Sequence, residues 1–269
     1  MSSTDLLVVK LGGGAGLDLA AACDDLANVS RQRPLVVVHG VSDAMNQLCA
    51  QLGIEVQTLT SPSGHSSRYT PPAIRDVYVR AAEHTNTELV TQLRRRDVSA
   101  IGFVSDSVVV RGSRKQAIRA VMNGRIRMVR DDHSGAIKSI ETAALREALA
   151  QSQVPVLPPM AISEDGLLNV DGDRAGAAVA GGLGASALVI LSNVRGLYRD
   201  FPAEDSFVEQ VALPQIDSAL DWAQGRMKRK VLAAQEALAQ DVATVIIGDG
   251  RVSDPVSNAL RGEGTRFTA

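Results

Sequence analysis

The feature that most constrains this chain is an alternation of two kinds of segment. Six short runs rich in Val, Leu and Ile lie at Leu6–Leu11, Leu35–Val38, Ala100–Val104, Val154–Leu157, Ala187–Leu191 and Ala243–Ile247. Each has the length of a buried strand and is too short for a helix. Between them, helical spacing predicts helices at Leu17–Ala27, Asp43–Leu52, Ile74–Leu93, Ile140–Ala150, Arg174–Leu183 and Arg226–Ala239. Strands alternating with helices imply the α/β class, a three-layer sandwich with a central, mostly parallel sheet covered on both faces.

Ligands of such sheets sit beyond the carboxyl ends of the strands. The first run is followed by Lys10-Leu11-Gly12-Gly13-Gly14-Ala15-Gly16, the second by His39-Gly40-Val41-Ser42, the fifth by Ser192-Asn193-Val194-Arg195-Gly196 and the last by Gly248-Asp249-Gly250. Glycines there let backbone N–H groups approach phosphate oxygens. One such turn is ordinary strand-to-helix geometry, but four on one sheet edge point to a polyanionic ligand such as a nucleotide. Neither GxxxxGKS/T nor GxGxxG follows the first run, so the P-loop and the dinucleotide-binding arrangements are both disfavoured.

Composition narrows the partners. With 28 Lys and Arg against 30 Asp and Glu, the formal net charge is −2, which argues against a protein basic throughout and built to coat nucleic acid. Aromatics are 3%, so base-stacking platforms are not expected. Cys23 and Cys49 form no CxxC and have no His at ligand spacing, so no metal residues are assigned. No apolar stretch reaches the length of a membrane helix or of a secretory signal, and the expected location is the cytoplasm.

One local excess of charge stands out. The stretch Arg111–Arg130 contains Arg111, Arg114, Lys115, Arg119, Arg125, Arg127 and Arg130 and no acid. The alternation over Arg125–Arg130 predicts one strand of a hairpin turning at Asn123-Gly124. Such density of one sign suits an acidic macromolecular partner.

Taken in order, several motifs resemble the amino acid kinase family, and most closely its kinases of acetylglutamate and of carrier-protein-bound aminoadipate or glutamate. They are Val8-Val9-Lys10-Leu11-Gly12-Gly13, Val36-Val37-Val38-His39-Gly40, Ser67-Arg68-Tyr69-Thr70, Pro155-Val156-Leu157, Asn169-Val170-Asp171-Gly172-Asp173, Leu191-Ser192-Asn193-Val194-Arg195-Gly196-Leu197, Gly225-Arg226-Met227-Lys228-Arg229-Lys230, Asp249-Gly250-Arg251 and Gly262-Glu263-Gly264-Thr265. The Gly225–Lys230 and Gly262–Thr265 motifs look more like the carrier-protein branch.

The resemblance implies a single kinase domain. Residues 1–172 would bind the amino-acid substrate and its carrier, and residues 173–269 would bind ATP. It implies transfer of the γ-phosphoryl group to a side-chain carboxylate, with Lys10 and Lys230 as catalytic lysines organised by Asp173. Arg68 and Asn169 would hold the amino-acid moiety beside Gly40 and Val41. Gly12, Gly13, Ser192, Asn193, Gly196, Leu197, Asp249 and Gly250 would bind ATP, with Mg2+ bridging its phosphates. The basic segment would dock a small acidic amino-group carrier protein, and a homodimer would form through the Ile74–Leu93 helix.

Three departures touch the substrate half. Val41 replaces a second glycine and is expected to crowd the phosphate. Both glycines of the usual loop are replaced in Gly102-Phe103-Val104-Ser105-Asp106-Ser107, and Asn86-Thr87 lacks the usual lysine. These imply altered substrate geometry in a specialised pathway, as opposed to ordinary lysine or arginine synthesis. The alternatives are a kinase of free N-acetylglutamate and a catalytically weak nucleotide-binding regulatory homologue.

Overall fold

Val, Leu and Ile pack best on a pleated surface covered on both sides. In the computed structural model, which describes residues 5–62, 64, 66–122 and 124–269, all six apolar runs become strands. They span Leu7–Leu11, Leu35–His39, Ala100–Gly102, Val154–Leu157, Ala187–Ser192 and Thr244–Asp249 and join one eight-stranded sheet. Across that sheet the order is Gln210–Ala212, Thr265–Thr268, Thr244–Asp249, Ala187–Ser192, Leu7–Leu11, Leu35–His39, Val154–Leu157, Ala100–Gly102. The six are mutually parallel, and Thr265–Thr268 runs antiparallel to its neighbour Thr244–Asp249.

Eight helices were assigned among the described residues: α1 (Leu19–Ser30), α2 (Ser42–Gln51), α3 (Pro72–Arg94), α4 (Thr142–Ala150), α5 (Gly172–Leu183), α6 (Ile216–Trp222), α7 (Arg226–Leu238) and α8 (Pro255–Arg261). Because side chains alternate along a strand, the sheet feeds two cores. Val8, Val36, Val38, Leu188, Ile190 and Val245 pack with α2, α5 and α7. Leu7, Val9, Leu35, Val37, Val189 and Ile246 pack with α1 and α8. The three-layer arrangement follows, with α3 contributing to both cores.

A second, four-stranded sheet is ordered Gly166–Asn169, Met160–Ser163, Val110–Arg114, Gly135–Ile140. The predicted hairpin forms as Ile118–Met122 paired antiparallel with Arg125–Val129. Of its predicted turn, Asn123 lies outside the described residues, while Gly124 has φ +72°. No helix is long and apolar enough to cross a membrane among the described residues.

The first strand carries the main consequence of this topology. It lies between Ala187–Ser192 and Leu35–His39, where connections leave in opposite directions along the sheet. Such a reversal opens a crevice at the carboxyl edge. Four of the glycine-rich or polar turns noted above end adjacent strands and therefore share that crevice.

Candidate active site

At the crevice, the backbones after the first two strands touch. A Cβ on Gly13 would collide with the backbone of Gly40 and Val41, and one on Gly40 with the backbone of Gly13. Only glycine allows that approach. Asp43 N–H donates to Gly13 O at 2.6 Å and Gly40 N–H to Leu11 O at 2.9 Å, which ties the two loops together. The amides of Gly13 and Val41 have no backbone acceptor among the described residues.

Lys10 ends its strand beneath these loops. Its aliphatic stem crosses α5 at two glycines one turn apart: a Cβ on Gly176 would lie 3.2 Å from Lys10 Cβ, and one on Gly172 3.4 Å from Lys10 Cε. Asp173, in the first turn of α5, takes Lys10 Nζ at 2.7 Å on one carboxylate oxygen and Lys230 Nζ of α7 at 2.9 Å on the other. All three side chains are buried. Burial alone would push the Asp173 pKa up, but the two ammonium groups outweigh it and hold the carboxyl well below its usual range. For Lys230, burial lowers the pKa against the attraction of Asp173. One carboxylate bridging two cations leaves a net positive charge in a buried site.

The walls around this triad differ. Beyond Ala187–Ser192 and Thr244–Asp249 lies a cavity of about 440 Å³ lined by Arg195, Tyr198, Phe201, Asp249, Pro255 and Asn258, among others. On the opposite side, beyond Leu35–His39, Arg68 donates from Nη2 to Asn46 Oδ1 at 2.6 Å. Its Nη1 is buried and has no hydrogen-bond partner among the described residues. Asn169 joins the same region, donating to Thr70 Oγ1 at 3.3 Å, while Thr70 Oγ1 donates to Arg68 O at 3.2 Å.

Several sequence-predicted residues sit differently from expectation. Val41 has φ −131° and its side chain is buried in the core, so it neither needs a left-handed backbone nor crowds the crevice; only its amide faces Gly13. Leu197 does not line the cavity: it is buried and its N–H donates to Thr265 Oγ1 at 2.8 Å. Gly196 packs behind it against Thr265 and Phe207. Ser192 is buried, and its carbonyl receives Gly250 N–H at 2.7 Å, while Asn193 is exposed and is not among the residues lining the cavity. The Asp249 carboxylate is engaged by Arg251 at 2.6 Å, and those hydrogen bonds lower its pKa.

In the replaced loop, Val104 is extended, so glycine is not required there; the unusual backbone falls on Ser105 at φ +35°, whose hydroxyl bonds Glu83. Asn86 is buried, donating to Val156 O at 2.9 Å and pairing with His39 Nε2 at 3.2 Å.

The basic segment is not uniformly free of acids in space. Arg111 pairs with Glu141 at 2.7 Å and Arg114 with Asp165 at 3.2 Å. Acids distant in sequence neutralise these two, so they are not free charges. Lys115, Arg119, Arg125, Arg127 and Arg130 are exposed, and their side chains have no acidic partner among the described residues. On the hairpin, Val121, Ile126 and Met128 share the face of Arg119 and are 44%, 52% and 50% exposed.

Sequence reasoning missed the aromatic lining, Tyr198 and Phe201, and Phe207 behind it. Tyr198 meets Phe201 and Phe207 edge-to-face at 5.6 and 5.4 Å. The clustering of these three within an aromatic-poor chain was the available signal. Arg226 was also missed as a site residue: its Nη1 lies 3.8 Å from where a Cβ on Gly14 would stand.

A phosphate-cradling crevice, a bridged lysine pair and an adjoining cavity define a phosphotransfer class of protein, and the chain belongs to the amino acid kinase family, which it matches over residues 5–249. A protein named LysW-aminoadipate kinase from Deinococcus radiodurans is 40% identical over 97% of this chain and 91% of its own. One of the same name from Thermus thermophilus is 37% identical over 97% and 99%. Among solved structures, N-acetylglutamate synthase from Neisseria gonorrhoeae superposes with TM-score 0.80 at 22% identity, covering 99% of this chain and 60% of that one. Carbamate kinase from Giardia lamblia bound to AMP-PNP gives 0.69 at 16%, covering 100% and 99%. At these identities the structures speak for the fold.

Proposed function

We propose that this chain is an ATP-dependent carboxylate kinase. It would phosphorylate the side-chain carboxylate of an aminoadipate- or glutamate-type residue carried by a small acidic amino-group carrier protein. The observation that carries this is spatial order along one sheet edge. The cavity beyond Thr244–Asp249 and Ala187–Ser192 comes first, then the Lys10–Asp173–Lys230 triad, then Arg68 with a buried guanidinium nitrogen that has no hydrogen-bond partner among the described residues. That is the order nucleotide, phosphoryl group, acidic acceptor. The names of the relatives support the same acceptor.

The acceptor carboxylate is already ionised and needs no general base. Its oxygen forms a bond to the γ-phosphorus as the bond to the ADP oxygen breaks, giving an acyl phosphate and ADP. Catalysis is then positioning and charge stabilisation. Lys10 would face the acceptor side and Lys230 the leaving ADP. The Gly13 and Val41 amides would donate to the phosphoryl oxygens, and Arg68 and Asn169 would hold the amino-acid moiety. The cavity, lined between residues 194 and 264, supports a reading in which residues 173–269 would bind ATP and residues 1–172 the acceptor.

Among the described residues no group of three or more His, Cys, Asp or Glu could hold a metal ion. Mg2+ would be held largely by ATP oxygens and water, neutralising phosphate charge. The hairpin's free arginines and apolar triplet would dock the carrier, and a homodimer would form along α3. A cytoplasmic setting in lysine-type synthesis fits this reading.

The test is ADP release with carrier-linked aminoadipate, carrier-linked glutamate and free N-acetylglutamate, with Lys10→Ala alongside. Turnover on a carrier-linked acceptor, abolished in the variant, is expected. Turnover on free N-acetylglutamate alone would replace the carrier reading, and ATP binding without turnover would favour a regulatory role.

A further inference from the structure

The run Arg226–Lys230 contains four cations, and the fold sends them to different places. Lys230 bonds Asp173. Arg229 reaches Asp171 at 3.5 Å, the carboxylate that also caps the N-terminus of α5. Lys228 is exposed. Arg226, the first residue of α7, has no hydrogen-bonding or acidic partner among the described residues, although its guanidinium hangs over the glycine loop at Gly14. It also lies near Arg68: behind burial, the repulsion of Arg226 helps to lower the Arg68 pKa. Lys10, Lys230, Arg68 and Arg226 thus surround one crevice with Asp173 as the acid between them. Such a surplus of positive charge is compensated when a multiply charged anion enters.

The four differ in freedom. Lys10 and Lys230 are pinned to Asp173, and Arg68 is anchored by Asn46. Arg226 is exposed, and its side chain is untethered among the described residues. We propose that Arg226 is a further catalytic residue, which closes over the glycine loop onto the transferring phosphoryl group, between the nucleotide and the acceptor. This rests on the carboxylate-kinase reading. Its planar fork can donate two hydrogen bonds to equatorial phosphoryl oxygens as their charge rises, which a lysine ammonium cannot reproduce in geometry.

The experiment compares Arg226→Ala, Arg226→Lys and the control Lys228→Ala. It measures kcat and KM with the carrier-linked acceptor, calorimetric affinity for ATP and for ADP, and rescue by millimolar guanidinium. Arg226→Ala is expected to lose about 10³-fold in kcat with KM for the acceptor and ADP affinity little changed. It should recover part of its rate with guanidinium. Arg226→Lys should stay slow, and Lys228→Ala should match the unsubstituted chain. Unchanged kcat in Arg226→Ala, or loss of ADP affinity in parallel with rate, would overturn the assignment. If the unsubstituted chain turns over no acceptor, the kinase reading falls and the affinities decide for Arg226. An ATP-over-ADP preference that disappears in Arg226→Ala upholds it as a γ-phosphate ligand, and a preference that persists, or none to begin with, overturns it.

Discussion

Asp173 holds two lysines with one carboxylate, and its removal leaves two like charges facing each other in a buried site. Asp173→Asn is expected to lower stability by about 3–5 kcal/mol, read by urea unfolding, and to abolish phosphotransfer. The folded pKa of Asp173 lies below the unfolded value. Its stabilising contribution is therefore full above about pH 4 and is lost as pH falls through the folded pKa. His39 gives a second acid-side effect. It is fully buried beside Lys10, Gly40 and Asn86, and burial lowers its pKa from 6.5 to about 4. The unfolded chain takes up that proton first, so stability declines as pH falls from 6.5 to about 4. The decline amounts to about 3 kcal/mol at 1.36 kcal/mol per pKa unit. His39→Gln should flatten unfolding free energy over that window; an undiminished slope would assign it to other groups. At this scale Lys10, Asp173 and Lys230 were legible because their neighbours form recognisable motifs. Arg226 was not, because only the packed helix separates it from Arg229 and Lys230, three and four positions on.

Among elements, α8 shows how a small helix depends on a distant one. Asp25 of α1 is buried and accepts N–H bonds from Val256 at 2.7 Å and Ser257 at 2.8 Å, satisfying the N-terminus of α8. Because Pro255, Asn258 and Ala259 of α8 line the cavity, Asp25→Ala is expected to cost about 1–3 kcal/mol and to weaken ATP binding. Thermal melts with and without ATP would show both effects; a variant that melts early yet gains the full ATP shift would separate cap from cavity. The six strands of the central sheet were legible because burial on both faces makes them continuously apolar. The second sheet was not, since Val110–Arg114 and Gly135–Ile140 are only partly buried and carry Arg, Lys, Ser and Gly. Helices α6 and α8 span seven residues each, too few for periodicity to distinguish them.

The whole molecule carries a net charge of −2, yet its hairpin carries Arg119 beside an exposed apolar triplet and Arg125 and Arg127 on its other face. An acidic carrier would be steered there by charge and seated by Val121, Ile126 and Met128. Arg125→Glu with Arg127→Glu should raise the KM for carrier-linked acceptor on the order of tenfold at low salt and flatten its salt dependence. Unchanged KM and slope would remove the hairpin from docking. The hairpin itself was legible from alternation, whereas the pairing of Arg111 and Arg114 with Glu141 and Asp165 needed the tertiary fold.

The central position of the first strand has a consequence for how the chain is made. Leu7–Leu11 pairs on one side with Leu35–His39, which emerges from the ribosome soon after it. Its other edge waits for Ala187–Ser192. Much of the chain must therefore be synthesised before that edge is covered, and Thr244–Asp249 comes later still. Long-range parallel pairing of this kind is slow to form, so the central sheet closes only after those later strands have been made. Until then the nascent chain presents an unpaired strand edge, apolar but for Lys10, which a ribosome-associated chaperone would be well placed to shield.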